Sequence, residues 1–211
     1  MNSERKKSNQ VRVAGKVAGN FVLHHELYGE GFYTGMLQVA RTSGTYDMIP
    51  IMVSDRLIKV TADWNGCYLA VTGQFRSHNK DGRCLLSVHA MEVEVLDGPE
   101  KPNRDNNIII LDGFLCKVPK FRETPLGREI TDLHIAVNRE YGKSDYIPCI
   151  CWGRNARYAA RFEVGAHCTI RGRIQSREYE KKLEDGSSEV RTAWEVSVQT
   201  IQLEQKEEDK C

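Results

Sequence analysis

Short apolar runs alternate with polar residues along most of this chain, and the runs fall into two matching series. In the first series they span residues 11–17, 36–41, 49–53 and 68–76. In the second they span 108–115, 133–139, 147–152 and 167–177. Each series then continues through a polar hairpin into one last alternating strand. A period near two, bounded by Gly, Pro, Asn and Asp, predicts half-buried β-strands. One segment of each series, 56–63 and 155–162, is predicted as a short helix. In the second of these, Ala156, Ala159, Ala160 and Phe162 lie mostly three to four apart, which is a helical face. The stretch after the first strand of each series reads as turns.

The two series are copies of one unit. At an offset of 98 positions, Gly15 meets Gly113, Gly29 meets Gly127, Val39 meets Val137 and Arg41 meets Arg139. At the same offset Gly44 meets Gly142, Asp47 meets Asp145, Ile49 meets Ile147 and Pro50 meets Pro148. One residue further, Val71 meets Ile170, Gly73 meets Gly172 and Ser77 meets Ser176. Later, Asp81-Gly82 answers Asp185-Gly186. The slips fall in loops, where insertions are tolerated.

Five strands with one helix between the third and fourth is the order of an OB-fold, a small Greek-key barrel. Glycines in the first and fourth strands suit the tight bends of such a barrel. The predicted fold class is therefore all-β with one short helix per repeat, built as two tandem five-stranded OB-fold Greek-key barrels. The repeats span 11–96 and 107–203. Residues 1–10 are a flexible N-terminus, 97–106 a Pro/Gly/Asn-rich linker and 204–211 a short acidic tail. An unrelated small β-barrel is the alternative.

Charge changes the picture only through its distribution. The net charge is +1, but residues 117–182 hold 14 Lys/Arg against 8 Asp/Glu, while 11–96 hold 8 of each. A basic half beside a neutral half predicts a polyanionic partner for one of them. The cysteines 67, 84, 116, 149, 151, 168 and 211 form no C-x-x-C pair. Cys149 and Cys151 read as buried apolar filler in a reducing compartment rather than as a metal or redox pair. His24-His25 reads as a loop. No metal or cofactor is predicted. No phosphate-binding loop, nucleophile elbow or catalytic cluster is present, so no enzymatic activity is expected. No apolar run reaches the ~18 residues of a membrane helix, and the polar start lacks a secretory core. These features predict a cytoplasmic protein.

The second repeat resembles the bacterial single-stranded-DNA-binding protein family. The resemblance is carried by Ser144-Asp145-Tyr146-Ile147-Pro148-Cys149-Ile150-Cys151-Trp152-Gly153, by Ala156 and Ala159-Ala160, by Val164-Gly165, and by Gly172-Arg173-Ile174-Gln175-Ser176-Arg177-Glu178-Tyr179. The whole chain resembles a clostridial-type variant with two repeats. The resemblance implies single-stranded DNA as partner in replication, recombination or repair, and a nucleoid location. It also implies four OB domains per assembly, which two repeats per chain would supply as a homodimer. Base-stacking positions carry over to Tyr141, Tyr146, Trp152 and Tyr179. Stacking binds any sequence because every base has a π-face. Arg139, Lys143, Arg154, Arg157, Arg173 and Arg177 lie close in sequence to these rings and are candidates for phosphate contact. Tyr146 and Trp152 are six apart, so a strand puts both on one face. That face is either the binding surface or core.

The first repeat departs from this pattern. Ser43, Met48 and Ser54 stand opposite Tyr141, Tyr146 and Trp152, and His78-Asn79 opposite Glu178-Tyr179. This predicts unequal binding by the two repeats. Family members end in an acidic tail with a hydrophobic tip that recruits replication and repair proteins. Residues 204–211 are acidic but lack that tip, so replication or repair proteins stay open as partners without the usual recruiting tip. Two other functions remain open from sequence: an adaptor that keeps the scaffold for oligomerisation or protein contact, and an RNA binder.

Overall fold

A computed structural model of the chain describes residues 8–80, 83–182 and 186–204. The first series forms β1 (Asn9–Val17), β2 (Val22–Leu27), β3 (Glu30–Ala40), β4 (Tyr46–Ser54), β5 (Tyr68–Lys80) and β6 (Arg83–Leu96). The second forms β7 (Asn107–Leu115), β8 (Lys120–Glu123), β9 (Glu129–Asn138), β10 (Ser144–Trp152), α1 (Arg154–Ala159), β11 (His167–Lys182) and β12 (Ser188–Leu203).

In the first series β1 pairs with β3, β3 with β4, β4 with β6, β6 with β5 and β5 with β1, so five strands close on themselves. The second series repeats the circuit as β7–β9–β10–β12–β11–β7. In each ring one neighbouring pair is parallel, β4–β6 and β10–β12, and the other pairings described are antiparallel. Closure brings strands very close at the glycines. A Cβ on Gly15 would lie 2.5 Å from the Gln38 carbonyl oxygen, and one on Gly113 2.6 Å from that of Ala136. Gly73 and Gly172 meet the carbonyls of His89 and Ser197 in the same way, at 2.0 and 2.4 Å. Only glycine leaves room for these crossings.

Two expectations need correction. The turn-rich stretches contain strands β2 and β8, which pair only with β3 and β9 and stand outside the closed rings. Every side chain of β2 and β8 is exposed, so neither has an apolar face that a period of two would reveal. The helix predicted over 56–63 is a series of turns instead. Ile58, Val60 and Thr61 are β-branched and cost helix propensity, while the matching segment offers Ala156 and Ala159 and does form α1. The Ser54 hydroxyl accepts the Arg56 amide, and Leu57 closes a turn on the Ser54 carbonyl.

The described residues form two compact units. One comprises 11–108 with 174–195, the outer part of the β11–β12 hairpin. The other comprises 8–10, 109–173 and 196–204. In the first unit, Ser176 donates its amide to Asp47 Oδ1 at 2.9 Å, and its hydroxyl accepts the Met48 amide at 3.0 Å. The Trp194 indole donates to the Met48 carbonyl at 2.7 Å. Residues of the linker are also fixed there: Glu100 pairs with Arg12 at 2.9 Å, and Asn103 caps the turn at Arg104–Asn106. The core of the second unit includes Ile109, Leu111, Leu133, Ile135, Ile147, Cys149, Cys151, Cys168, Ile170 and Val196. Burial pushes the Cys151 thiol up to about 12 and the Cys168 thiol up to about 11. Both stay protonated, as apolar filler should. The proposed tail beyond Glu204, residues 1–7, and the turn residues Asp81, Gly82 and Asp185 lie outside the described residues.

Candidate nucleic-acid interface

Strand β10 decides which reading of Tyr146 and Trp152 holds. Asp145, Ile147, Cys149 and Cys151 are inside and Tyr146 and Trp152 outside, with Ile150, between those rings on their side, covered. Tyr146 is 52% exposed and Trp152 38%, so the face they share is the surface of the barrel and not its core. Six residues of strand separate them by about 20 Å, so they mark a track along β10 and not a cluster.

Tyr141 lies in the Glu140–Gly142 turn between β9 and β10 and is 97% exposed. Its φ is +72°, rare for a residue with a side chain, and Gly142 follows at +75°. Beneath this turn the Arg139 guanidinium grips the buried Asp145 carboxylate, with Nε to Oδ2 at 2.8 Å and a second bond alongside. Hydrogen bonding to Asp145 raises the arginine above its ordinary pKa. The Arg139 amide also donates to the Lys143 carbonyl. Arg139 is therefore partly buried as the clamp of the turn, and Arg41 with Asp47 repeats the clamp in the first repeat.

The remaining basic residues differ in what they touch. Lys143 and Arg154 are exposed. Arg157 is exposed and bonded to Glu129 at 2.6 Å, which raises its pKa. Arg173 faces outward on β11, partly covered. Trp152 and Arg157 line an open cavity of about 600 Å³ with Arg128, Glu129, Glu123, Gly127 and Gly153. On the outer face of β9, His134 stands opposite Pro148 of β10. Burial, and then Lys117, hold its pKa below the ordinary range, so the imidazole stays neutral near pH 7.

Arg177 and Tyr179 belong to the other compact unit, on the outer hairpin. The Arg177 guanidinium lies 5.7 Å over the Tyr179 ring and 3.5 Å from Glu195. Tyr179 is 38% exposed.

The positions of the first repeat are built differently. Ser54 is buried and bonded to Glu30 and to the Arg56 amide. Met48 has its amide and carbonyl engaged by Ser176 and Trp194. Phe75 is fully buried, and Trp64 packs edge-on to Phe21 with its indole bonded to the Lys59 carbonyl. Sequence reasoning passed over Phe114 and His167, whose rings stack on the outer surface of the second barrel. The signal was present: Phe114 is the one aromatic residue of β7, at a position that alternates with the buried Leu111, Gly113 and Leu115.

Two closed five-stranded rings with one parallel pair each place the protein in the OB-fold class. Its second repeat is similar to the single-strand binding protein family, whose family model matches residues 106–204, just under half of the chain. Similar relatives are single-stranded DNA-binding protein 2 of Listeria innocua, 37% identical over 81 residues, and single-stranded DNA-binding protein A of Bacillus subtilis, 35% identical over 83. These matches cover 35% and 36% of this chain and 51% and 48% of the relatives, so the chain spans about half the length of each. Among solved structures, the wild-type single-stranded DNA binding protein of Thermus aquaticus aligns with a TM-score of 0.71 at 20% identity. That alignment covers 94% of this chain and 93% of the other, so the likeness in fold extends over both repeats.

Proposed function

We propose that this chain binds single-stranded DNA with little sequence preference and without catalysis, through the second repeat above all. The observation that carries the reading is the outward, half-exposed pair Tyr146 and Trp152 on one face of β10, in a domain similar to this family. Bases stack on Tyr141, Tyr146, Trp152 and Tyr179. Lys143, Arg154, Arg157, Arg173 and Arg177 follow the phosphates, while Arg139 positions the turn. A nucleic acid needs no adaptor partner to explain exposed rings beside cations, and the first repeat serves assembly or a weaker contact. A cytoplasmic, nucleoid location in replication, recombination or repair goes with this reading, as does a tandem-repeat form of the family.

Rings that stack on bases cannot reach them in an intact duplex. A fluorescence titration is expected to show clear preference for a single-stranded oligonucleotide over its duplex, falling with salt as counterions are released. Equal affinity for duplex would overturn the reading, and stronger binding to RNA of the same sequence would redirect it. Four OB domains as the working unit imply a homodimer of the 24.0 kDa chain. Light scattering should give twice that mass. A monomeric mass with DNA binding intact would remove the dimer from the proposal.

A further inference from the structure

Register aligns four outward residues in one row across the second barrel. His167 of β11 stands opposite Phe114 of β7, Phe114 opposite Ala136 of β9, and Ala136 opposite Tyr146 of β10. Directly opposed residues project from the same side of a sheet. Phe114 is 40% exposed and stacks on His167, with centroids 4.5 Å apart and planes 19° apart. His167 is itself held at 2.6 Å by Asp112. Gly113 makes the row possible, because it lets β7 cross close enough to pair with Ala136.

The barrel does not require a ring here. In the first repeat the same row reads Tyr68, Lys16, Gln38 and Met48, and Lys16 stands where Phe114 does. A phenylalanine left half open on a sheet surface, with its plane fixed by a stacked imidazole, is arranged to meet another flat apolar face. Acidic groups at this end argue for a base and against a phosphate: Asp112 lies on His167, and Glu204 bonds Thr169 two residues along β11. Between Phe114 and Tyr146 lie two strand spacings, about 10 Å, bridged only by the Ala136 methyl. Each ring therefore has room for its own base.

We infer that Phe114, backed by His167, is a further base-stacking position in line with Tyr146. The inference rests on the single-stranded DNA reading above. Its test compares Phe114→Leu, which keeps apolar bulk but loses the flat face, with Phe114→Trp, which keeps the face. Affinity for a labelled oligothymidylate is read by anisotropy at several salt concentrations, with unfolding temperature alongside. Phe114→Leu should weaken binding about 5- to 140-fold, the loss of one stacked base, with the salt slope unchanged because no phosphate contact is lost. Phe114→Trp should restore most of the affinity. Cross-linking of a bromodeoxyuridine oligonucleotide to the unaltered protein should label the peptide that contains Phe114, a result independent of how the variants fold. Wild-type binding by Phe114→Leu, while Trp152→Ala still loses affinity, would overturn this inference and leave the function standing. Failure of the unaltered protein to bind the oligonucleotide would overturn the function itself. A fall in unfolding temperature with no label at Phe114 would assign the ring to packing and also overturn the inference.

Discussion

Trp152→Ala weakens binding of a single-stranded oligonucleotide about 5- to 140-fold, or about 1–3 kcal/mol, the range for losing one stacked base. The unfolding temperature changes little, because the indole lies on the outer face of β10 with 38% of its surface exposed. A buried tryptophan would behave otherwise, costing about 3–5 kcal/mol of stability on truncation. The two outcomes separate cleanly if affinity and thermal unfolding are measured on the same preparation. The matching change in the first repeat, Ser54→Ala, leaves affinity nearly unchanged, since that hydroxyl is turned inward onto Glu30 and the Arg56 amide. Loss of affinity only in step with loss of fold would assign Trp152 to packing and remove it from the interface.

The largest expected loss of stability comes from Arg139→Met. The substitution leaves the Asp145 carboxylate, 2% exposed, without its cation. Removing one partner of a fully buried pair costs about 3–5 kcal/mol. A quarter of the Arg139 side chain reaches solvent, which places this case at the lower end. Urea unfolding should show the loss, and the double change Arg139→Met with Asp145→Leu should recover much of it, because no uncompensated charge remains. The same pair closes the turn that presents Tyr141 in its left-handed conformation, so affinity falls as well. A stability unchanged by Arg139→Met would show that the arginine is not the clamp of this turn.

Several features were legible in the sequence because they depend on local chemistry. The six-residue spacing of Tyr146 and Trp152 put both on one side of β10, and left open whether that side is core or surface. The recurrence of Gly15 at Gly113 and of Gly73 at Gly172 marked the barrel crossings, where a carbonyl leaves no room for a Cβ. The pairing of Arg41 with Asp47 and of Arg139 with Asp145 was visible as a repeated spacing, but its meaning was not. Whether an arginine faces solvent or a buried carboxylate depends on where the turn folds it. Strands β2 and β8 were illegible because they are exposed on every residue and carry no periodic apolar signal.

Sequence alone determined that one strand order is used twice, that Tyr146 and Trp152 share a face, and that the rings and the basic surplus belong to the second copy. The repeat, the shared face and the basic surplus follow from spacing or composition, which the chain carries whatever its path, and the choice of rings from the family resemblance. Tertiary structure decided that Tyr146 and Trp152 are exposed, that Arg139 is engaged by the buried Asp145, and that residues 174–195 of the second copy pack in the unit of the first. It also decided that His167, Phe114, Ala136 and Tyr146 form one row, although they are contributed by four strands. No local pattern encodes that row, because it exists only once closure of the barrel sets the register between strands distant in the chain.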